Sequence, residues 1–214
     1  MIRPRGYRRF LGLALAGLWL LSAPLSAADT LDDSALLAAL RAGGLNLYFR
    51  HVATDWSQSD QVSESGDWQD CDPARMRQLS DDGRTDARTI GAAIRALAIP
   101  VSEVLASPYC RTRETAELMQ LGEVVDTFQV MNLRAADYVG GRAAVVADAQ
   151  ALLASVPMPG NRIISAHGNV ARNATPYYPQ EGEALVFRPD GERFRLLGRI
   201  TVSDWARLLA LETE

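Results

Sequence analysis

Leu45-Asn46-Leu47-Tyr48-Phe49 is a short apolar run that ends directly in Arg50-His51. Bounded by Gly43-Gly44 before and a polar segment after, it reads as a buried strand with Arg50 and His51 at its carboxyl end. Upstream, Leu31, Leu36, Leu37 and Leu40 keep helical spacing. Asp29 or Thr30 can cap that helix, and the two glycines end it. A helix followed by a strand is therefore the first unit of the chain.

The same alternation continues downstream. Ser80 precedes a helix running to about Leu97, with Ala87, Ile90, Ile94 and Leu97 on one face and Pro100 as its stop. Residues 102–106 form a short strand, and Ser107-Pro108 is expected to open the next helix as N-cap and first residue. A weak strand falls at 123–127. Gly140-Gly141 leads into a helix carrying Val145, Val146, Ala149, Leu152 and Leu153. Residues 163–166 are a strand ending at His167-Gly168. Two further strands, 184–187 and 194–200, flank the turn Pro189-Asp190-Gly191, and a short helix closes the chain. The expected fold is a three-layer α/β/α sandwich with a mostly parallel sheet and antiparallel strands late.

Composition narrows the chemistry. The chain has 214 residues, two histidines and 22 basic residues, every one an arginine. Without lysine there is no Walker-type phosphate loop and no Schiff-base site. The spacing of His51, His167, Cys71 and Cys110 suggests no metal site, and no cofactor is expected. Hydrophobic residues make up 48%, enough for a sizeable core. Residues 1–28 read as a secretory signal: Arg3, Arg5, Arg8 and Arg9, a short apolar run, then small residues around Ala27-Ala28. Cleavage there would leave 18 basic against 26 acidic residues, a net charge of −8. Such a surface excludes nucleic acid as a partner. The expected location is periplasmic or secreted, with no stable membrane span after cleavage. In an oxidising compartment Cys71 and Cys110 could form one bridge, and the sequence leaves that open.

Both histidines follow an apolar strand, and ligands bind beyond the carboxyl ends of strands in mainly parallel sheets. Arg50 precedes His51, and Arg111 and Arg113 lie at the start of the helix after 102–106. Imidazoles, arginine forks and a helix N-terminus together describe an anion pocket suited to a phosphoryl group. Between His51 and Leu79 lies a long polar segment with Asp55, Asp60, Glu64, Asp67, Asp70 and Asp72. Its Trp56 and Trp68 favour an ordered flap.

Four ordered motifs resemble the histidine phosphatase (phosphoglycerate mutase-like) superfamily. Tyr48-Phe49-Arg50-His51-Val52-Ala53-Thr54 is similar to its Arg-His-Gly-x-Thr signature. Leu79-Ser80-x-x-Gly83-Arg84 resembles the helix that follows, Ser107 to Ala116 its Ser-x-x-x-Arg-x-x-x-Thr-Ala segment, and Ile164 to Asn169 its second histidine motif. The resemblance implies one histidine phosphatase domain over 29–214. It implies a metal-independent, histidine acid phosphatase-type hydrolase of phosphomonoesters, with a small phosphorylated substrate. His51 would be the nucleophile that becomes phosphohistidine, and Arg50, Arg111 and His167 would hold the phosphoryl oxygens. Thr54 and Asn169 would contact substrate, while Arg113 would be peripheral.

Two positions depart from the pattern. Val52 stands where the family has glycine and is expected to narrow the pocket floor. Leu133, in Met131-Asn132-Leu133-Arg134, stands where mutase-type members carry a glutamate. Asp137 is the first substitute proton donor, with Glu183 and Asp55 as alternatives. The uncertain donor leaves a second expectation, a weak or inactive phosphoryl-binding module of the same fold. Cys110 is followed at once by Arg111, which does not fit a cysteine phosphatase loop.

Overall fold

The computed structural model describes Met1 and residues 30–212. Apart from Met1, the expected signal segment 1–28 lies outside the described residues, as does Asp29. Helix α1 (Asp33–Ala42) is capped by Asp32, whose carboxylate accepts from Ala35 N at 2.8 Å. The cap therefore falls two residues beyond Thr30. The reason is that Leu31 N is already donating to Leu197 O, which pins the preceding residues to the sheet.

Strand β1 (Asn46–Arg50) is buried along its whole length. It lies between β4 (Asn161–Ala166) and β5 (Ala184–Pro189) in a six-stranded sheet of order β3-β2-β4-β1-β5-β6. The four strands β3 (Val124–Asp126), β2 (Val101–Ala106), β4 and β1 are parallel, and β5 pairs antiparallel with β1 and with β6 (Phe194–Ile200). The expected mixed sheet, with its antiparallel hairpin late, is found.

The two faces follow from the period-2 alternation of strand side chains. Leu47, Phe49, Val104, Ile163 and Val186 face one core, closed by α1, α2 (Asp81–Ala96), α3 (Cys110–Met119) and α6 (Asp204–Ala210). Tyr48, Leu105, Ile164, Leu185 and Phe187 face the other, closed by α4 (Arg142–Ala154) and α5 (Gly168–Ala174). Each fully buried Leu, Ile or Phe contributes about 1.5–3 kcal/mol relative to exposure.

Helix α2 starts where the sequence predicts, with Ser80 Oγ accepting from Gly83 N. A Cβ on Gly83 would sit 2.1 Å from the Ala53 carbonyl oxygen, so only glycine lets the helix approach the chain leaving β1. Helix α3 differs from expectation. Its N-cap is Tyr109, not Ser107, and Ser107 Oγ is drawn instead to His167 Nε2 at 3.0 Å.

The flap is ordered, and polar contacts order it. A bridge between Thr54 and Leu79 closes its base, with Ser80 N donating to Ala53 O. Asp67 accepts from Ser63 N and Glu64 N, and those bonds hold its carboxyl down at about 2. Trp68 is buried against the rings of Phe128 and Tyr138. Cys71 and Cys110 form a disulfide, with Cα atoms 5.5 Å apart, which resolves the pairing that the sequence left open. It ties the flap to the first residue of α3, next to Arg111.

Candidate active site

His51 and His167 meet because their strands are neighbours in register. Arg50 on β1 pairs with Ala166 on β4, so the next residue of each chain emerges from the same edge of the sheet. His51 N donates to Ala166 O at 2.9 Å, which extends the pairing one step past the strands. Tyr48 Oη donates to His167 O at 2.8 Å and fixes the backbone there. The two imidazoles end with ring centres 5.8 Å apart.

The His51 Nδ1 atom lies 2.9 Å from the Val52 carbonyl. A carbonyl only accepts, so Nδ1 carries the proton and Nε2 keeps its lone pair. Among the described residues Nε2 has no hydrogen-bond partner. Burial first, then the positive charge of Arg111, push the His51 pKa well below the ordinary histidine value; the Val52 carbonyl pulls the other way, and Arg50 and Arg77 add smaller downward pushes. His167 is lowered in the same way, by burial first and Arg111 next. Both rings are neutral near pH 7. Ser107 Oγ contacts His167 Nε2, while His167 Nδ1 is buried without a partner.

These groups line a cavity of about 140 Å³. Arg50, Arg77, Arg111 and Arg134 also line it, and Asp60 is the acidic residue in its lining. Arg111 is held end-on by Asp60, with bonds of 2.8 and 3.0 Å and side chains only 1% and 3% exposed. Its Nε is buried and unpartnered. Arg50 donates to Glu181 Oε1 at 3.1 Å and to Pro179 O at 3.3 Å, and its guanidinium lies 5.4 Å from the Tyr178 ring centre. Gly168 makes room for this arrangement, since a Cβ there would come within 2.8 Å of the Tyr178 ring and 3.2 Å of Arg50 Cδ. Asn169 donates to Asn132 Oδ1 at 2.8 Å and leaves its own Oδ1 buried without a partner. Buried orphan atoms on Arg111, His167 and Asn169 around one cavity are what a bound polar group would satisfy.

The structure thus brings Arg50, His51, Arg111, His167 and Asn169 together. It does not bring the other expected residues with them. Thr54 does not line the cavity; its hydroxyl donates at 3.0 Å to Glu181 Oε1, the oxygen that also holds Arg50. Asp137 is exposed on a 3-10 turn outside the lining. Glu183 is buried, but its oxygens are taken by Arg199 and Gln180 N. Asp55 is folded onto Ser57 and Gln58, whose bonds lower its pKa. The Val52 side chain packs into the core rather than across the pocket floor, because its backbone N is turned to Thr115 Oγ1. Leu133 is buried in the second core. Arg113 pairs with Asp126 and Glu117, away from the cavity.

Sequence reasoning missed Asp60, Arg77, Arg134, Asn132, Tyr178 and Trp56 in the lining. Nothing local sets Asp60 apart from the other acids of the flap. Trp56 offered one signal, an aromatic in a polar segment. Among the described residues no group of three or more His, Cys, Asp or Glu side chains is disposed to hold a metal ion. No described helix is long and apolar enough to cross a membrane.

The fold and this edge-of-sheet pair of histidines define an α/β protein with a cavity lined by two imidazoles and four arginines. Residues 47–139 match the family model described as the histidine phosphatase superfamily (branch 1), and the chain folds as an α/β protein with a six-stranded mixed sheet. Similar solved structures include SixA from Agrobacterium tumefaciens, 16% identical over 74% of this chain and 98% of that one, at a TM-score of 0.48. TTHB049 from Thermus thermophilus is 18% identical over 73% of this chain and 99% of its own, at 0.48. The open reading frame Rv3214 from Mycobacterium tuberculosis is 18% identical over 72% and 95%, at 0.49. No curated protein matches the sequence.

Proposed function

We propose that this protein is a phosphatase that hydrolyses phosphomonoesters through a phosphohistidine on His51. The observation that carries the reading is the His51 ring itself: Nδ1–H is spent on the Val52 carbonyl, and Nε2 is unprotonated and open to the arginine-lined cavity. Nε2 attacks phosphorus in line, the N–P bond forms and the P–O bond to the leaving group breaks. Water then cleaves N–P, releasing phosphate and restoring the neutral ring. Arg50, Arg111 and His167 Nδ1–H stabilise charge on the equatorial oxygens, in a site organised before the substrate arrives. Asn169 Oδ1, buried and unpartnered, is placed to accept from a substrate hydroxyl.

The leaving oxygen needs a proton. Asp137, Glu183 and Asp55 lie outside the cavity lining, and both Asp60 oxygens are engaged by Arg111. The proton therefore comes from solvent, which favours substrates whose leaving groups need little help, such as aryl phosphates. A periplasmic location is supported by the signal-like residues 1–28 and by the Cys71–Cys110 bridge.

The missing carboxylic acid also favours a second reading, a phosphoryl-binding module without turnover. Rapid quench of the protein with a radiolabelled aryl phosphate separates the two. An acid-labile phosphoenzyme, absent from His51→Ala, is expected. Phosphate binding with neither label nor turnover would leave the binding module.

A further inference from the structure

The cations around His51 are not equivalent. The Arg50 fork is held by Glu181 and the Pro179 carbonyl, and the Arg111 fork by Asp60. Each pair is neutral as a unit, whereas a phosphoryl group brings about −1.5 to −2 at pH 7. Uncompensated positive charge must come from elsewhere in the lining.

Two further arginines line the cavity, the exposed Arg134 and the half-buried Arg77. Among the described residues the Arg77 guanidinium makes no hydrogen bond or ion pair. It stacks instead on Trp56, 3.9 Å from the ring centre, and Trp56 itself is 67% exposed. That stack covers one face of the guanidinium and leaves its in-plane N–H groups free. The backbone of Arg77 is fixed to the neighbouring site: its N donates to Asp60 Oδ1 at 3.2 Å, and its carbonyl accepts from Arg111 at 3.3 Å. Asp60 therefore sets Arg77 and Arg111 relative to each other. The Arg77 charge reaches both His51 and His167, since it helps to lower each of them.

We propose that Arg77, carried to the cavity by the segment 52–79, is a third phosphoryl-binding arginine beside Arg50 and Arg111. This rests on the phosphatase reading for the identity of the ligand. The flap is then part of the site: its Trp56 orients the donor, its Asp60 spaces it, and its disulfide anchors it beside Arg111.

The test uses the whole protein, with inorganic phosphate titrated by calorimetry and an aryl phosphate for turnover. Arg77→Gln is expected to raise the phosphate Kd about tenfold and to lower kcat/KM on the order of 10²-fold. Both imidazole titrations should move upward by NMR as the positive charge is removed. Arg77→Lys should recover part of each loss, because it restores charge without the planar fork. Arg188→Gln, exposed on β5 and outside the cavity, should change nothing. If Arg77→Gln does not fold, Arg77→Met keeps an apolar stem against Trp56 and serves instead. A folded Arg77 variant with wild-type phosphate affinity overturns the assignment while active wild type keeps the phosphatase reading. Loss of phosphate affinity in a chain that never turns over keeps the assignment and ends that reading. Wild type that neither binds nor turns over ends both.

Discussion

At the sheet edge, His51 and His167 are placed by backbone: a parallel register, one extra N–H···O bond and an apolar strand beneath each. Across the cavity, Asp60 and Arg77 are placed by side chains and a covalent link. Asp60 grips Arg111, Arg77 lies on Trp56, and Cys71 is bonded to Cys110. The edge belongs to the core and inherits its stability. The flap has few apolar anchors, Trp68 and Met76 among them, and depends on polar contacts and the disulfide. The first region carries the proposed nucleophile, His51, and the second holds the charged groups around it.

Removing the proposed nucleophile should break function at the edge and leave the flap intact. His51→Ala is expected to lower kcat by about 10⁴–10⁶, with a melting temperature no lower than wild type, read by calorimetry. A large unfolding on this change would mean that the edge is not independent of its histidine.

The next effect strikes the seam between the regions. Arg111→Ala leaves the Asp60 carboxylate buried without its partner, and should cost about 3–5 kcal/mol by denaturant titration. Pairing Arg111→Met with Asp60→Leu should return most of that stability and none of the activity. Recovery of activity in the double variant would remove Arg111 from the proposed phosphoryl site.

Reducing the Cys71–Cys110 bridge, or replacing both by serine, tests the flap alone. The bridge spans 39 residues of sequence, and its loss should cost about 4 kcal/mol on the chain-entropy account. Amide exchange should rise first across residues 53–79, ahead of β1 and β4. Uniform exchange across both regions would abolish the distinction between them.

The smallest effect is a titration. The chain has two histidines, so their ring signals can be assigned with His51→Asn. Both should titrate below the usual value of about 6.5, because burial and then Arg111 disfavour the charged form of each. Their folded pKa values lie below the unfolded one. As pH falls through about 6.5, the unfolded chain takes up protons that the folded one does not, and stability declines. Addition of phosphate should raise both, as a bound anion offsets the arginines.

How much of this was legible along the chain follows from the same contrast. The strand at Asn46–Arg50, the cap at Ser80 and the hairpin around Asp190 are written in nearest neighbours, and each was readable. That Arg50, His51, Arg111, His167 and Asn169 meet at one cavity was readable from strand ends and motif order. None of the three expected proton donors lines the cavity. Asp137, Glu183 and Asp55 are near it in sequence pattern only, and turns or ion pairs direct them elsewhere. Ser107 reads as a helix cap by type, yet its hydroxyl is claimed by a histidine sixty residues away.

The sequence therefore carried the alternation of strand and helix, the mixed sheet and the two histidines at its edge, because periodicity and chain breaks act over a few residues. Which carboxylate faces Arg111, what holds Arg77 and which way Thr54 and Val52 turn were settled only on folding. Asp60 and Arg111 are 51 residues apart, and their pairing depends on how a polar loop closes over a finished sheet. No local rule ranks one flap acid above another; burial beside a guanidinium does.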